Sequence, residues 1–212
     1  TCHAALKSGA GYVRALVPES IMNYVNLTVP EAVVMPYTNN ILLKESLEWA
    51  DAIVIGPGLK IKQEKMKQFI LSFKGLKQTI ILDAGGFEFF NNNYTIEDFP
   101  ADTILTPHKG EMKKIFPGIS LNTNVGVDKF CDDLNEKIKG RKCLLKGQPN
   151  ILFIDKSEIY IMNHGEPILA TAGTGDVLSG ILGSLAAQKY SIVDTMIIGS
   201  WIHAEAGNQY IS

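Results

Sequence analysis

Short apolar, β-rich runs alternate along the chain with longer segments of helical period, and this alternation limits the fold more than any other feature. The runs are YVRALV (12–17), AVVMPY (32–37), AIVIG (52–56), TIILDA (79–84), DTILT (102–106) and KCLLK (142–146). Several are apolar on consecutive positions, the pattern of strands covered on both faces. Between them, residues 62–74 place Met66, Phe69, Ile70 and Phe73 at helical spacing, and Val127, Phe130, Leu134 and Ile138 repeat the pattern. Strand and helix in alternation predict an α/β fold, a three-layer αβα sandwich with a mostly parallel central sheet. The last third changes texture. There ILFID and EIYIMN flank Lys156 and Ser157 as the arms of a hairpin, and two long helices follow with no strand between them. Leu178, Ile181, Leu182 and Leu185 mark the apolar face of the first helix; Val193, Met196, Ile197, Trp201 and Ala204 mark that of the second.

No repeat or linker divides the chain, and 212 residues with 46% apolar side chains suffice for one core, so 1–212 reads as a single domain. The first residues resemble the last turns of a helix, with Ala4, Ala5 and Leu6 apolar and Gly9 as a stop, so the chain is expected to begin inside an element. A net charge of −2 offers no field for nucleic acid or an anionic membrane, so any phosphate must be caught locally. Cys2, Cys131 and Cys143 lack C-x-x-C pairing and read as packing residues of a reducing compartment. No apolar run reaches membrane-spanning length and no signal peptide opens the chain, so a cytoplasmic location is expected.

The strongest chemical signal is ATAGTGDVLSGILGSLAAQ (170–188). Gly173 and Gly175 leave amides unobstructed where a helix begins, and a helix N-terminus offers free N–H groups and partial positive charge to a phosphate. Asp176 stands in the first turn, placed to take a proton from an attacking hydroxyl. The same residues read equally as a helix cap, Thr174 or Asp176, with glycines that only shape a turn. AIVIGPGL (52–59) runs a buried strand into Gly56-Pro57-Gly58, either a substrate loop or an ordinary strand-to-helix turn. Asp83 ends another strand, and Thr106-Pro107-His108 ends a third, with Glu111 one turn on. LLKGQPN (144–150) sets Lys146 beside Gly147 at a strand end, a phosphate partner or a solvated lysine. Of the other histidines, His3 and His164 have no evident partner, and His203 lies near Glu205 as a semi-buried residue. No grouping has zinc-ligand spacing, so no protein-held metal site is assigned. A Walker loop, a nucleophile elbow and a dinucleotide fingerprint are all missing, which leaves phosphoryl chemistry built on a late anion hole and an aspartate.

Taken in order, SGAGYVRALVPES, AIVIGPGL, IILDAGG, ILTPHKGEM, LLKGQPNILF, ATAGTGDVLSGILGSLAAQ and WIHAEAG resemble the ADP-dependent NAD(P)H-hydrate dehydratases of the ribokinase-like superfamily. The resemblance runs almost from end to end. It implies repair of damaged cofactor: the hydrate of NADH or NADPH (NADHX or NADPHX) is phosphorylated from ADP and loses phosphate, giving AMP, phosphate and the reduced nicotinamide. By that resemblance Asp176 is the base that deprotonates the ring hydroxyl, and Gly58, His108 and Asp176 contact the hydrate. Lys146, Gly147, Gln148, Pro149 and Asn150 match the segment touching the adenine nucleotide, and Gly173, Thr174 and Gly175 the amides around its phosphate. Magnesium (Mg2+) is expected to neutralise the two phosphates during transfer. A homo-oligomer, a tetramer by resemblance, is also implied, as is fusion to or cooperation with a hydrate epimerase.

Departures from the family pattern are Lys60, where the usual GPGLG ends in glycine, and LDAGG at Asp83–Gly86 in place of an LDADG-like segment. The glycine-rich stretch that precedes AALKSGAG in the family, where part of the hydrate pocket lies, is not in this sequence; the chain alone is expected to be impaired. Two other readings stay open: a ribokinase-like kinase of a small hydroxylated metabolite, which would release a stable phosphoester, and a non-catalytic nucleotide-binding module.

Overall fold

The structure is a computed structural model and describes residues 1–92, 94–119, 127–165 and 167–211. In chain order its elements are α1 (Cys2–Lys7), β1 (Arg14–Val17), α2 (Met22–Thr28), β2 (Val33–Pro36), α3 (Asn40–Trp49), β3 (Ala52–Ile55), α4 (Gln63–Phe73), β4 (Thr79–Leu82), β5 (Thr103–Leu105), α5 (Lys109–Ile115), α6 (Val127–Ile138), β6 (Lys142–Leu145), β7 (Asn150–Phe153), β8 (Ile159–Met162), α7 (Thr174–Ala187) and α8 (Ile192–Ile211).

The central sheet has the order β3-β4-β5-β6-β7-β8, parallel from β3 to β6 and antiparallel from β6 through β8. Parallel neighbours need a crossover, which α4 supplies between β3 and β4 and α5 and α6 supply between β5 and β6. The switch to antiparallel pairing comes at the hairpin. Its turn is held by the Asp155 carboxylate, whose Oδ1 accepts from Ser157 N at 2.7 Å and Glu158 N at 3.0 Å.

Consecutive apolar residues in the strands are explained by two cores. Ile80, Leu82, Leu105, Cys143 and Leu145 pack with Phe69, Phe73, Met112 and Leu134 from the helices of one face. Their chain neighbours Ile81, Ile104 and Leu144 pack with Leu178, Leu182 and Met196 of α7 and α8 on the other. The expected mostly parallel sheet between helical layers is therefore what the chain forms. Cys131 and Cys143 are buried free thiols, as packing residues would be. Close approach explains the small residues of α7: a Cβ on Gly180 would sit 2.3 Å from the Thr1 carbonyl oxygen, and one on Gly183 2.5 Å from Val54 Cγ2.

One part of the architecture departs from a single sheet. β1 and β2 pair only with each other, in parallel, among the described residues. Between β1 and β3 lies an apolar cleft of about 310 Å³, roofed by α3 and α4 and floored by α1 and α7.

Candidate active site

Four parallel strands end on one edge, and each delivers polar groups there: Gly56 after β3, Asp83 after β4, Thr106 to His108 after β5, Lys146 after β6. Ligands of open parallel sheets bind at this edge. Lys146 N donates to the Pro107 carbonyl at 2.8 Å, which joins the last two ends. Asp83 is only 1% exposed. A buried carboxylate is tolerable only when paired, and both its oxygens are: Oδ1 accepts from Lys146 Nζ at 2.7 Å and Oδ2 from Ser179 Oγ of α7 at 2.8 Å. Glu111 adds a second negative charge 4.0 Å from the same ammonium.

This pair is set beneath the start of α7. Gly173 adopts φ +92°, which glycine alone takes readily, and turns the chain into the helix. The Thr174 hydroxyl lies 2.6 Å from the Leu169 carbonyl and 2.7 Å from that of Thr171, so it fixes the approach to the helix. Val177 N closes onto Gly173 O and Thr174 N onto Thr171 O. Among the described residues, that leaves the amides of Gly175 and Asp176 as the open donors of the first turn. Lys146 Nζ stands 3.2 Å from the point a Gly175 Cβ would occupy, so the ammonium reinforces the positive end of the helix. Asp176 is half-buried in that same turn. An acceptor for protons thus adjoins donors for an anion.

His203, on α8, backs the turn. It is 7% exposed and hydrogen-bonded to the Thr174 main chain, and its Nε2 is buried without a partner. Burial pushes its pKa down, more than the Thr174 carbonyl restores. With the folded value below the unfolded one, the unfolded chain binds more protons as the pH falls through about 6.5, so stability declines toward acid and is unaffected well above neutrality. Urea midpoints are expected to drop between about pH 7 and pH 5, and His203→Gln should flatten that slope; an unchanged slope would assign it elsewhere.

The remaining expected residues fall around this core. Gly58 is exposed at φ +67°, with open space where a Cβ would stand. Its loop leans on the Asp83 turn: a Cβ on Gly56 would lie 1.6 Å from the Asp83 carbonyl oxygen. Gly56→Ala is accordingly expected to destabilise the fold by more than about 3 kcal/mol, read as a lowered thermal midpoint, with Gly58→Ala much milder. His108 is exposed and caps α5. Its Nδ1 accepts from Gly110 N at 2.9 Å and Glu111 N at 3.2 Å, and Glu111 Oε2 accepts from His108 N at 2.9 Å. Nε2 lies 3.5 Å from Glu111 Oε2, and that side of the ring is the one left to face a ligand. Gly147 to Asn150 turn from β6 into β7, with Gly147 N donating to Asn150 Oδ1 at 2.9 Å and a cis bond between Gln148 and Pro149.

Sequence reading leaves Asp83 at a strand end and Glu111 one turn beyond another without a role, does not single out Ser179, and sets His203 near Glu205. The structure instead pairs Glu205 with His164, at 3.1 Å, and stacks that ring on Trp201. His164 is therefore not solitary: the turn after β8 lays it against α8, far away in sequence.

The profile of the family described as NAD(P)H-hydrate dehydratase matches residues 1–212. The bifunctional NAD(P)H-hydrate repair enzyme Nnr of Gloeobacter violaceus is 32% identical over 96% of this chain, and that of Escherichia coli K12 32% over 98%. The chain spans only 40% and 39% of those two proteins. An ADP-dependent (S)-NAD(P)H-hydrate dehydratase of Lactococcus lactis is 27% identical over 95% of this chain and 72% of its own. Among solved structures, a ribokinase-like superfamily protein of Enterococcus faecalis superposes with a TM-score of 0.86 at 24% identity, over 99% of this chain and 73% of that one. The ADP/ATP-dependent NAD(P)H-hydrate dehydratase of Bacillus subtilis, co-crystallised with ATP/Mg2+, gives 0.78 at 22%, over 98% of this chain and 73% of that one. Those likenesses establish a ribokinase-like fold. With the family profile matched along its whole length and relatives 32% identical over nearly all of it, the chain belongs to the NAD(P)H-hydrate dehydratase family.

Proposed function

We propose that residues 1–212 act as a dehydratase domain that restores NADH or NADPH from its hydrate at the expense of ADP. The observation that carries this reading is the placement of the Asp176 carboxylate in the same turn as the open Gly175 and Asp176 amides, beside the Lys146 ammonium. The hydrate hydroxyl attacks the terminal phosphorus of ADP, its proton passes to Asp176, and the bond to AMP breaks. The amides and Lys146 hold the phosphoryl oxygens as charge moves across them; positioning and charge stabilisation are the protein's whole contribution to such a transfer. The ring-nitrogen lone pair then expels phosphate, and loss of a proton from the adjacent carbon restores the ring double bond. Gly58 and His108 border the hydrate, and Gly147 to Asn150 the adenine nucleotide.

Among the described residues no three His, Cys, Asp or Glu side chains cluster as a metal site. Magnesium would be carried mainly by phosphate oxygens and water, with Asp176 or Glu111 as a protein ligand, and would supply charge neutralisation. The bifunctional relatives suggest a hydrate epimerase as source of the correct epimer. Copies of this chain would assemble symmetrically and cover the exposed Tyr24 and Leu27 of α2. No helix of the described residues is long and apolar enough to cross a membrane, and a cytoplasmic site of action accords with a nicotinamide substrate.

The test is recovery of reduced-nicotinamide absorbance from chemically prepared hydrate, with ADP and ATP compared. Recovery with equimolar phosphate is expected with ADP. A stable phosphorylated product without recovery would mean a kinase, and nucleotide-independent recovery would refute the mechanism.

A further inference from the structure

The cluster at the strand ends is short of positive charge. Lys146 Nζ lies 2.7 Å from Asp83 Oδ1 and 4.0 Å from Glu111 Oε2, and Asp176 adds a further carboxylate in the first turn of α7. Asp83 alone offsets the ammonium, so a diphosphate approaching that turn also meets the charges of Glu111 and Asp176. Glu111 is fixed there, because its Oε2 accepts from His108 N at 2.9 Å. The open amides of α7 supply only partial charge. Beyond any metal the phosphates bring with them, a second protein cation is needed.

Lys109 stands where such a cation would act. β5 and β6 run in parallel, and past their ends His108 bridges to Lys146, whose N donates to the Pro107 carbonyl at 2.8 Å. The next residues on the two ends, Lys109 and Gly147, are therefore neighbours. A Cβ on Gly147 would lie 3.6 Å from Lys109 Cε, so the lysine stem reaches over the turn from β6 into β7, with the ammonium one bond further. Among the described residues, no carboxylate pairs with that ammonium. Nor does folding call for a cation here: Lys109 is exposed at the first position of α5, where a positive side chain opposes the helix dipole.

We propose that Lys109 holds the phosphate of ADP nearer the adenosine, the one that leaves on AMP. The inference rests on the dehydratase reading, which sets the terminal phosphate at the Gly175 and Asp176 amides and the adenine nucleotide along Gly147 to Asn150. Lys146 Nζ flanks the amides and Gly147 follows Lys146 in the chain, so the inner phosphate is placed between them, within reach of Lys109. As the hydrate oxygen bonds to the terminal phosphorus, the bond from that phosphorus to the bridging oxygen breaks. Its electron pair stays on AMP, and the hydroxyl proton passes to Asp176. Lys109 then faces growing negative charge, so its ammonium is worth more in the transition state than before it. A compact charge on a flexible stem suits that task.

Calorimetric titration with AMP tests this without turnover, because AMP carries only the phosphate in question. Lys109→Met is expected to weaken AMP binding about tenfold at low salt, as loss of one charge-assisted contact does, and by less as salt screens the pair. Lys109→Arg should restore most of that loss, and adenosine should bind parent and variant alike. In turnover with ADP, kcat of Lys109→Met should fall by at least about tenfold while the KM for hydrate is unchanged. Its thermal midpoint should match or exceed the parent's, since no ion pair is lost. Equal AMP affinity in parent and Lys109→Met overturns the proposal, as does a parent that binds no AMP. Equal losses for AMP and adenosine also overturn it, because the lysine then only shapes the turn. A raised KM for hydrate with AMP unaffected overturns it in favour of the hydrate's own phosphates. Selective loss of AMP binding in a protein that turns over no hydrate upholds the contact and refutes the dehydratase reading instead.

Discussion

Asp176→Asn is expected to lower hydrate turnover by about 10²–10⁴-fold, the usual worth of a positioned general base, while ADP still binds. The replacement is isosteric and keeps the half-buried first turn of α7 intact. What disappears is a group able to take the hydroxyl proton as the oxygen attacks phosphorus. The open amides belong to the backbone and Lys146 is held by Asp83, so neither donor depends on the Asp176 charge. Removing a negative charge from beside a phosphate should, if anything, tighten nucleotide binding. Loss in kcat with little change in the ADP dissociation constant, measured calorimetrically, is therefore the expected split. Turnover by the Asn variant at the parental rate would sink the assignment, and joint loss of turnover and ADP binding would make Asp176 a structural cap.

Local signals were legible in the sequence because their causes are local. TIILDA announced a two-sided strand since Ile80 and Leu82 enter one core and Ile81 the other. Residues 62–74 announced α4 since Met66, Phe69, Ile70 and Phe73 all lie on its buried face. The cap at His108 was also within reach: Glu111 stands three residues later, the spacing of a capping box, although histidine is an unusual member. Non-local pairings carry no such mark. Asp83 meets Lys146 across 63 positions and Ser179 across 96, and only the convergence of strand ends onto α7 brings them together. His203 approaches Thr174 because two successive helices pack side by side, while the sequence offered the adjacent Glu205 as the more obvious neighbour. The gap between β1 and β3 was hidden for a related reason: periodicity identifies a strand without naming its neighbour.

Lys146→Met should cause the other large loss. It strands the Asp83 carboxylate, 1% exposed, with Ser179 as its remaining hydrogen-bond donor. Breaking one partner of a buried pair costs about 3–5 kcal/mol, which for a chain of this size is a fall of roughly 6–20 °C in thermal midpoint. Adding Asp83→Leu removes the stranded charge, so the double variant is expected to recover more than half of the lost stability. Nucleotide affinity should behave differently. If the ammonium beside Gly175 holds phosphate directly, the double variant stays at least about tenfold weaker for ADP despite its restored stability. If affinity returned together with stability, Lys146 would be only a strut for Asp83, and the anion site would reduce to the two amides at the start of α7.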